Sequence, residues 1–122
     1  MAEAVCIREG ENRLPLSFAV LSITLTKVGE DYLLLAKGGR EHLGCAVLAE
    51  PRPSLTGRGV SSTSSVLNAS GHKDEFICRL LAERLAERKN ARVVCTGGFH
   101  IDEISPLQLQ ELGEALEKIT FG

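Results

Sequence analysis

Tryptophan is absent from this chain of 122 residues, and aromatic side chains make up only 4% of it. That scarcity argues against a broad stacking platform for nucleic-acid bases. A formal net charge of −2 leaves no basic stripe, which argues against broad binding of nucleic acid or anionic membrane. Any phosphate the chain holds must be held locally. No apolar run reaches the roughly 20 residues that span a bilayer. The opening residues Met1-Ala2-Glu3-Ala4-Val5 lack the basic start and apolar stretch of a secretory signal, so the expected location is the cytoplasm. The four cysteines, Cys6, Cys45, Cys78 and Cys95, form no C-x-x-C pair, and the close-spaced ligands of a four-cysteine zinc site are missing. Their neighbours include Val5, Ile7, Ala46, Val47, Ile77 and Val94, so they read as small buried hydrophobes. No serine sits in a G-x-S-x-G elbow, and no Gly-Lys-Ser/Thr follows a glycine pair, so neither a hydrolase nucleophile nor a P-loop is signalled.

What is present is a globular composition, 43% hydrophobic and 25% charged, in a length that suits one domain over residues 1–122. The first half reads as strands: Ala4–Arg8, Leu16–Val28, Tyr32–Lys37 and Leu43–Ala49. The short connections favour antiparallel neighbours, so the last three should form a meander, with Gly38–His42 as a hairpin loop. Residues Glu50–Gly71 change character: Pro51-Arg52-Pro53-Ser54 blocks regular structure, and the segment reads as a long loop with Val60–Leu67 as an edge strand. His72–Asn90 is the clearest helix, with Phe76, Ile77, Leu80, Leu81 and Leu85 in one stripe. Its first turn carries Asp74 and Glu75 and its end Arg88 and Lys89, as the helix dipole prefers. Ala91–Cys95 is a short strand. A second helix begins at Ser105, with Pro106 in first position and Gln108 closing a capping box; Leu109, Leu112, Leu116 and Ile119 supply its buried stripe. The expected fold is α+β, a mostly antiparallel sheet of five or six strands with two helices on one face.

All three histidines lie in glycine-and-charge clusters: Gly38-Gly39-Arg40-Glu41-His42-Leu43-Gly44, Ser70-Gly71-His72-Lys73-Asp74 and Gly97-Gly98-Phe99-His100-Ile101-Asp102. Imidazole suits metal ligation, proton transfer or phosphate contact near neutral pH, and an adjacent glycine lets backbone approach a ligand. Two readings stand side by side, a single convergent site and three polar turns. On the map above, His42 falls at a loop between strands, His72 at a helix N-terminus and His100 just past a strand end. A helix N-terminus presents free N–H groups and positive potential, so Ser70, Gly71, His72 and Lys73 suit a phosphate, or simply cap the helix. His100 and Asp102, two apart on an extended segment, point to the same side. With His42 and His72 they would make a three-nitrogen, one-oxygen set for a divalent metal. The residue types as a whole favour holding a polar anion over turning one over.

The ordered set Ala36-Lys37-Gly38-Gly39, His42-Leu43-Gly44, Gly71-His72-Lys73-Asp74 and Gly98-Phe99-His100-Ile101-Asp102 resembles a known family. It is similar to the small D subunits of UbiD-type gallate and hydroxyarylic acid decarboxylases, the prenylated-flavin chaperone-like proteins, from about Leu34 to Ile119. The resemblance implies a non-catalytic role: binding reduced prenylated FMN, or FMN, and delivering or maintaining it for the large decarboxylase subunit. It carries cofactor contacts onto Gly38, Gly39, His42, Gly44, Gly71, His72, Lys73, Asp74, His100 and Asp102. Phe99 departs from the smaller aliphatic residue expected beside the third histidine, a change that bears on ligand packing. A homo-oligomer is expected because small cofactor sites often lie at subunit interfaces. The competing readings are a small metal-dependent hydrolase or lyase using His42, His72, His100 and Asp102, and an accessory subunit with a purely structural role.

Overall fold

A computed structural model describes residues 3–69 and 72–122, with the side chains of His72 and Lys73 outside that description. The elements run β1 (Val5–Ile7), β2 (Gly10–Pro15), β3 (Val20–Val28), β4 (Asp31–Gly39), β5 (Cys45–Pro53), β6 (Val60–Asn68), α1 (His72–Lys89), β7 (Val93–His100), α2 (Pro106–Glu117) and β8 (Ile119–Phe121). Six strands form one sheet in the order β2-β3-β4-β7-β5-β6, and β1 pairs with β8 in a small parallel ribbon. The fold is therefore α+β and mostly antiparallel, as the sequence pattern indicates.

The expected meander is interrupted. β3 and β4 pair as an antiparallel hairpin, but β7 inserts between β4 and β5, parallel to the first and antiparallel to the second. The Gly38–His42 segment is thus not a hairpin loop: Gly38 and Gly39 end β4 in register with β7, and residues 40–44 step over β7 to β5. The physical reason lies in β7 itself. Its Val93 and Cys95 are fully buried, and an apolar strand gains most in the middle of a sheet, where both edges are paired. Chain proximity favours β4 next to β5, and burial outweighs it.

Pro51 and Pro53 do not block regular structure. β5 continues through both, paired with β6 as far as Pro53↔Val60. Its ladder with β7 ends at Ala49, so each proline lies where one edge of the strand is free and its missing N–H is not required. The long loop shrinks to the 54–59 turn, and β6 is an edge strand as expected. β2 is an additional edge strand that carries no apolar alternation, because Glu11, Asn12 and Arg13 give it a polar sequence. The segment 16–19, read as strand, instead turns between β2 and β3, where Leu16 N–H donates to the Ala19 carbonyl at 2.7 Å.

Both helices cover one face. α1 buries Ile77, Cys78, Leu81, Ala82, Leu85 and Ala86 against the sheet. Phe76 is 53% exposed, one residue and so about 100° away from Ile77 on the helix, outside the buried arc. Along α1, Glu75, Glu83 and Glu87 accept from Asn68, Ser64 and Ser62 of β6, which explains a Ser-rich strand beside a Glu-rich helix. α2 has the expected capping box, with Ser105 accepting from Gln108 N–H and the Gln108 side chain accepting from Ser105 N–H. It buries Leu112 and Leu116, while Leu109 is exposed and Ile119 belongs to β8. Arg84 of α1 donates to the Leu116 carbonyl at 3.0 Å and ties the helices together. Cys45, Cys78 and Cys95 are buried as expected; Cys6 is exposed. Burial, with Cys78 next to it, pushes the Cys45 thiol up to about 12. The Cys78 thiol is also raised, by its hydrogen bond with Cys95 and then by burial.

Candidate functional site

The insertion of β7 beside β4 is what assembles the site. Because the two strands run parallel with Gly39 opposite His100, both glycine pairs and the chain leaving each strand emerge at the same end of the sheet. The start of α1 meets them there. Asp74, in the first turn of α1, is only 4% exposed. Its Oδ1 accepts from the backbone N–H of Phe99 at 2.9 Å, and its Oδ2 lies 2.9 Å from His42 Nε2. One carboxylate thereby joins the helix, the end of β7 and the crossover loop.

Two glycines make this approach sterically feasible. A Cβ on Gly44 would overlap Asp74 Oδ2 and come within 3.0 Å of His42 Nε2. A Cβ on Gly98 would sit 2.6 Å from His42 Cε1 and Nδ1 and 2.5 Å from the His42 carbonyl oxygen. The His42 ring therefore rests directly on the β7 backbone, a contact only glycine permits.

His42 spends both ring nitrogens on protein oxygens. Its Nδ1–H donates to the Arg40 carbonyl at 3.1 Å, and its Nε2 faces Asp74. Neither nitrogen is free to ligate. His100 differs: its Nε2–H donates to Asp102 Oδ1 at 2.8 Å, and the two histidine rings stand edge to face with centroids 6.4 Å apart. The other Asp102 oxygen accepts from Arg40 Nη2 at 2.8 Å. The hydrogen bond from His100, followed by the charge of Arg40, holds the Asp102 carboxyl below its ordinary range.

Of the residues expected to form a site, Gly38, Gly39, His42, Gly44, Asp74, His100 and Asp102 gather at this one corner. Gly71 and the side chains of His72 and Lys73 fall outside the described residues, although the backbone of His72 and Lys73 opens α1 here. Phe99 is buried, with its ring against Gly38, where an added Cβ would fall 2.5 Å from Cδ2, and it packs edge-on against Phe18 at 6.3 Å. Arg40 and Gly98 join this corner, although the expected contacts include neither. Arg40 was legible as a cation two residues from His42, and Gly98 as the second half of a glycine pair. Among the described residues, no group of three or more His, Cys, Asp and Glu is placed to hold a metal ion. A metal bridging His42, His72 and His100 also has no free nitrogen at His42.

The site defines a class: a small α+β domain with Arg40, His100 and Asp102 on an exposed rim and the buried Asp74 carboxylate beneath them. Its polar groups suit the holding of an anionic ligand. The chain belongs to the family of prenylated flavin chaperone LpdD-like domains, whose model matches residues 18–121. None of the curated proteins matches it. Among solved structures, a chain from a chaperone complex for yeast 20S proteasome assembly is 11% identical, covering 89% of this chain and 92% of that one at a TM-score of 0.45. That likeness is too distant to bear on function.

Proposed function

We propose that this protein binds reduced prenylated FMN, without catalysing chemistry on it, and delivers or maintains it for the large subunit of a UbiD-type decarboxylase. The observation that carries the reading is the convergence of His42, Asp74 and the Arg40–Asp102–His100 chain at one end of parallel β4 and β7, against the start of α1, in a chain of this family. An FMN-type cofactor brings one phosphate. Arg40 and His100 offer rim donors for it, and the first turn of α1, where Lys73 lies, adds the positive end of a helix dipole. The bound group supplies the redox-active ring; the chain's own residues hold and orient it. Among the described residues, Cys45, Cys78 and Cys95 are buried, and both ring nitrogens of His42 are engaged by protein oxygens.

Anaerobic mixing with reduced prenylated FMN followed by gel filtration tests this reading. Flavin co-eluting with the protein at near-stoichiometric amounts is the expected result, and protein free of flavin would refute it. The recipient enzyme and self-association are part of the same proposal. Co-purification of a UbiD-type large subunit, and a mass by light scattering above that of one chain, are the expected outcomes.

A further inference from the structure

Asp102 occupies an unusual station. One exposed carboxylate accepts from Arg40 and His100 at once, each at 2.8 Å, through its two separate oxygens. Among the described residues, these two side chains offer N–H donors on the rim beside His42. The carboxylate sits on a short turn between β7 and α2, 68% exposed, and packs against nothing in the core. It can swing into water without opening the fold.

We infer that Asp102 is a resident stand-in for the ligand's anion: it keeps Arg40 and His100 aimed and paired in the empty protein, and an incoming phosphate displaces it. The geometry fits the exchange. A phosphate oxygen matches a carboxylate oxygen as an acceptor for a guanidinium fork and an imidazole N–H. Asp74 and His42 supply the rigid half of the device. The Arg40 carbonyl is held by His42 Nδ1, and His42 is held by the buried carboxylate, so the backbone that carries Arg40 stays in place when Asp102 leaves. Asp102 thus lowers affinity: it competes for the donors and repels the arriving negative charge. This inference rests on the reading of the site as an anion holder and reverses the direct-contact role that the resemblance gives Asp102.

The test is titration of wild type, Asp102→Ala and Asp102→Asn with inorganic phosphate, followed by ³¹P NMR, and with FMN, followed by fluorescence. Two exposed charge-assisted contacts hold back a modest free energy, so the expected gain in phosphate affinity for Asp102→Ala is roughly three- to tenfold. Asp102→Asn, which keeps one acceptor, should gain less. Adding Arg40→Ala to Asp102→Ala should abolish the gain. The ring ¹⁵N shifts of His100 should move in wild type on phosphate addition, as Nε2–H changes partner. Equal or weaker phosphate binding by both Asp102 variants would overturn the inference, as would a wild type and variants that all fail to bind phosphate at millimolar concentration. If wild type retains no prenylated flavin while Asp102→Ala still gains phosphate affinity, the flavin reading fails and the stand-in role survives.

Discussion

Replacing Asp74 by alanine should be among the most damaging single changes in this protein, and its cost can be worked from the contacts. The buried carboxylate accepts from Phe99 N–H at 2.9 Å. Leaving that buried N–H without an acceptor costs about 1–3 kcal/mol. The second oxygen meets His42 Nε2, a charge-assisted contact worth about 1.5–3 kcal/mol when enclosed. The His42 side chain is 34% exposed, which places its share at the low end of that range. Together these give about 3–4 kcal/mol, a large part of the 5–15 kcal/mol that typically separates folded from unfolded chains. Asp74→Asn keeps the acceptor for Phe99 and offers an amide donor to His42, so it should cost about 1 kcal/mol. Urea unfolding reads the difference. With a slope of about 2 kcal/mol per molar, Asp74→Ala should lower the midpoint by about 1.5–2 M. A double-mutant cycle with His42→Ala should return a coupling of about 1 kcal/mol or more. A loss below about 1 kcal/mol for Asp74→Ala, or equal losses for alanine and asparagine, would refute the assignment of Asp74 as the brace of this corner.

Gly98→Ala should drive the His42 ring off β7, because the added Cβ falls 2.6 Å from Nδ1 and Cε1; the readout is loss of the distinct His42 ring ¹⁵N shifts together with weaker phosphate binding. Thiol titration of the native protein with a bulky disulfide reagent should label Cys6 rapidly and Cys45, Cys78 and Cys95 only on unfolding, given their burial and the raised Cys45 and Cys78 thiols. The Asp102 carboxyl carbon should titrate below its ordinary value of 3.8, and His100→Asn should move it back up, since the His100 hydrogen bond is the largest cause of the lowering. The sign follows from linkage. A carboxylate depressed in the folded state contributes its stability above the ordinary pKa and loses it as pH falls through the lower folded value.

The elements themselves were largely legible. The α1 stripe, the Ser105 capping box and the edge strand at Val60 all follow from local pattern, because capping and amphipathicity are decided by neighbours in sequence. Order across the sheet was not legible in the same way. Short loops argued for β4 beside β5, and only the three-dimensional gain from burying Val93 and Cys95 on an interior strand moves β7 between them. The site shows the same division. Histidine clusters marked His42, His100 and Asp102, yet the convergence depends on the parallel β4–β7 pairing that loop length argued against. Arg40 and Gly98 gain their roles from that pairing too: one reaches across to Asp102, the other makes room for an imidazole from a distant loop. Phe76 and Leu109 fall within the apolar stripes yet are exposed, because a one-dimensional stripe has no sharp edge and the packed core sets one.

Backbone amide shift mapping by NMR, with reduced prenylated FMN added anaerobically to the ¹⁵N-labelled protein, tests the central claim most directly. The account predicts changes concentrated at residues 38–44, at Asp74 and at residues 97–102, with the sheet face opposite the helices around Leu33, Leu48 and Val94 unmoved. No perturbation on adding the flavin, or perturbation centred on that opposite face, would contradict it.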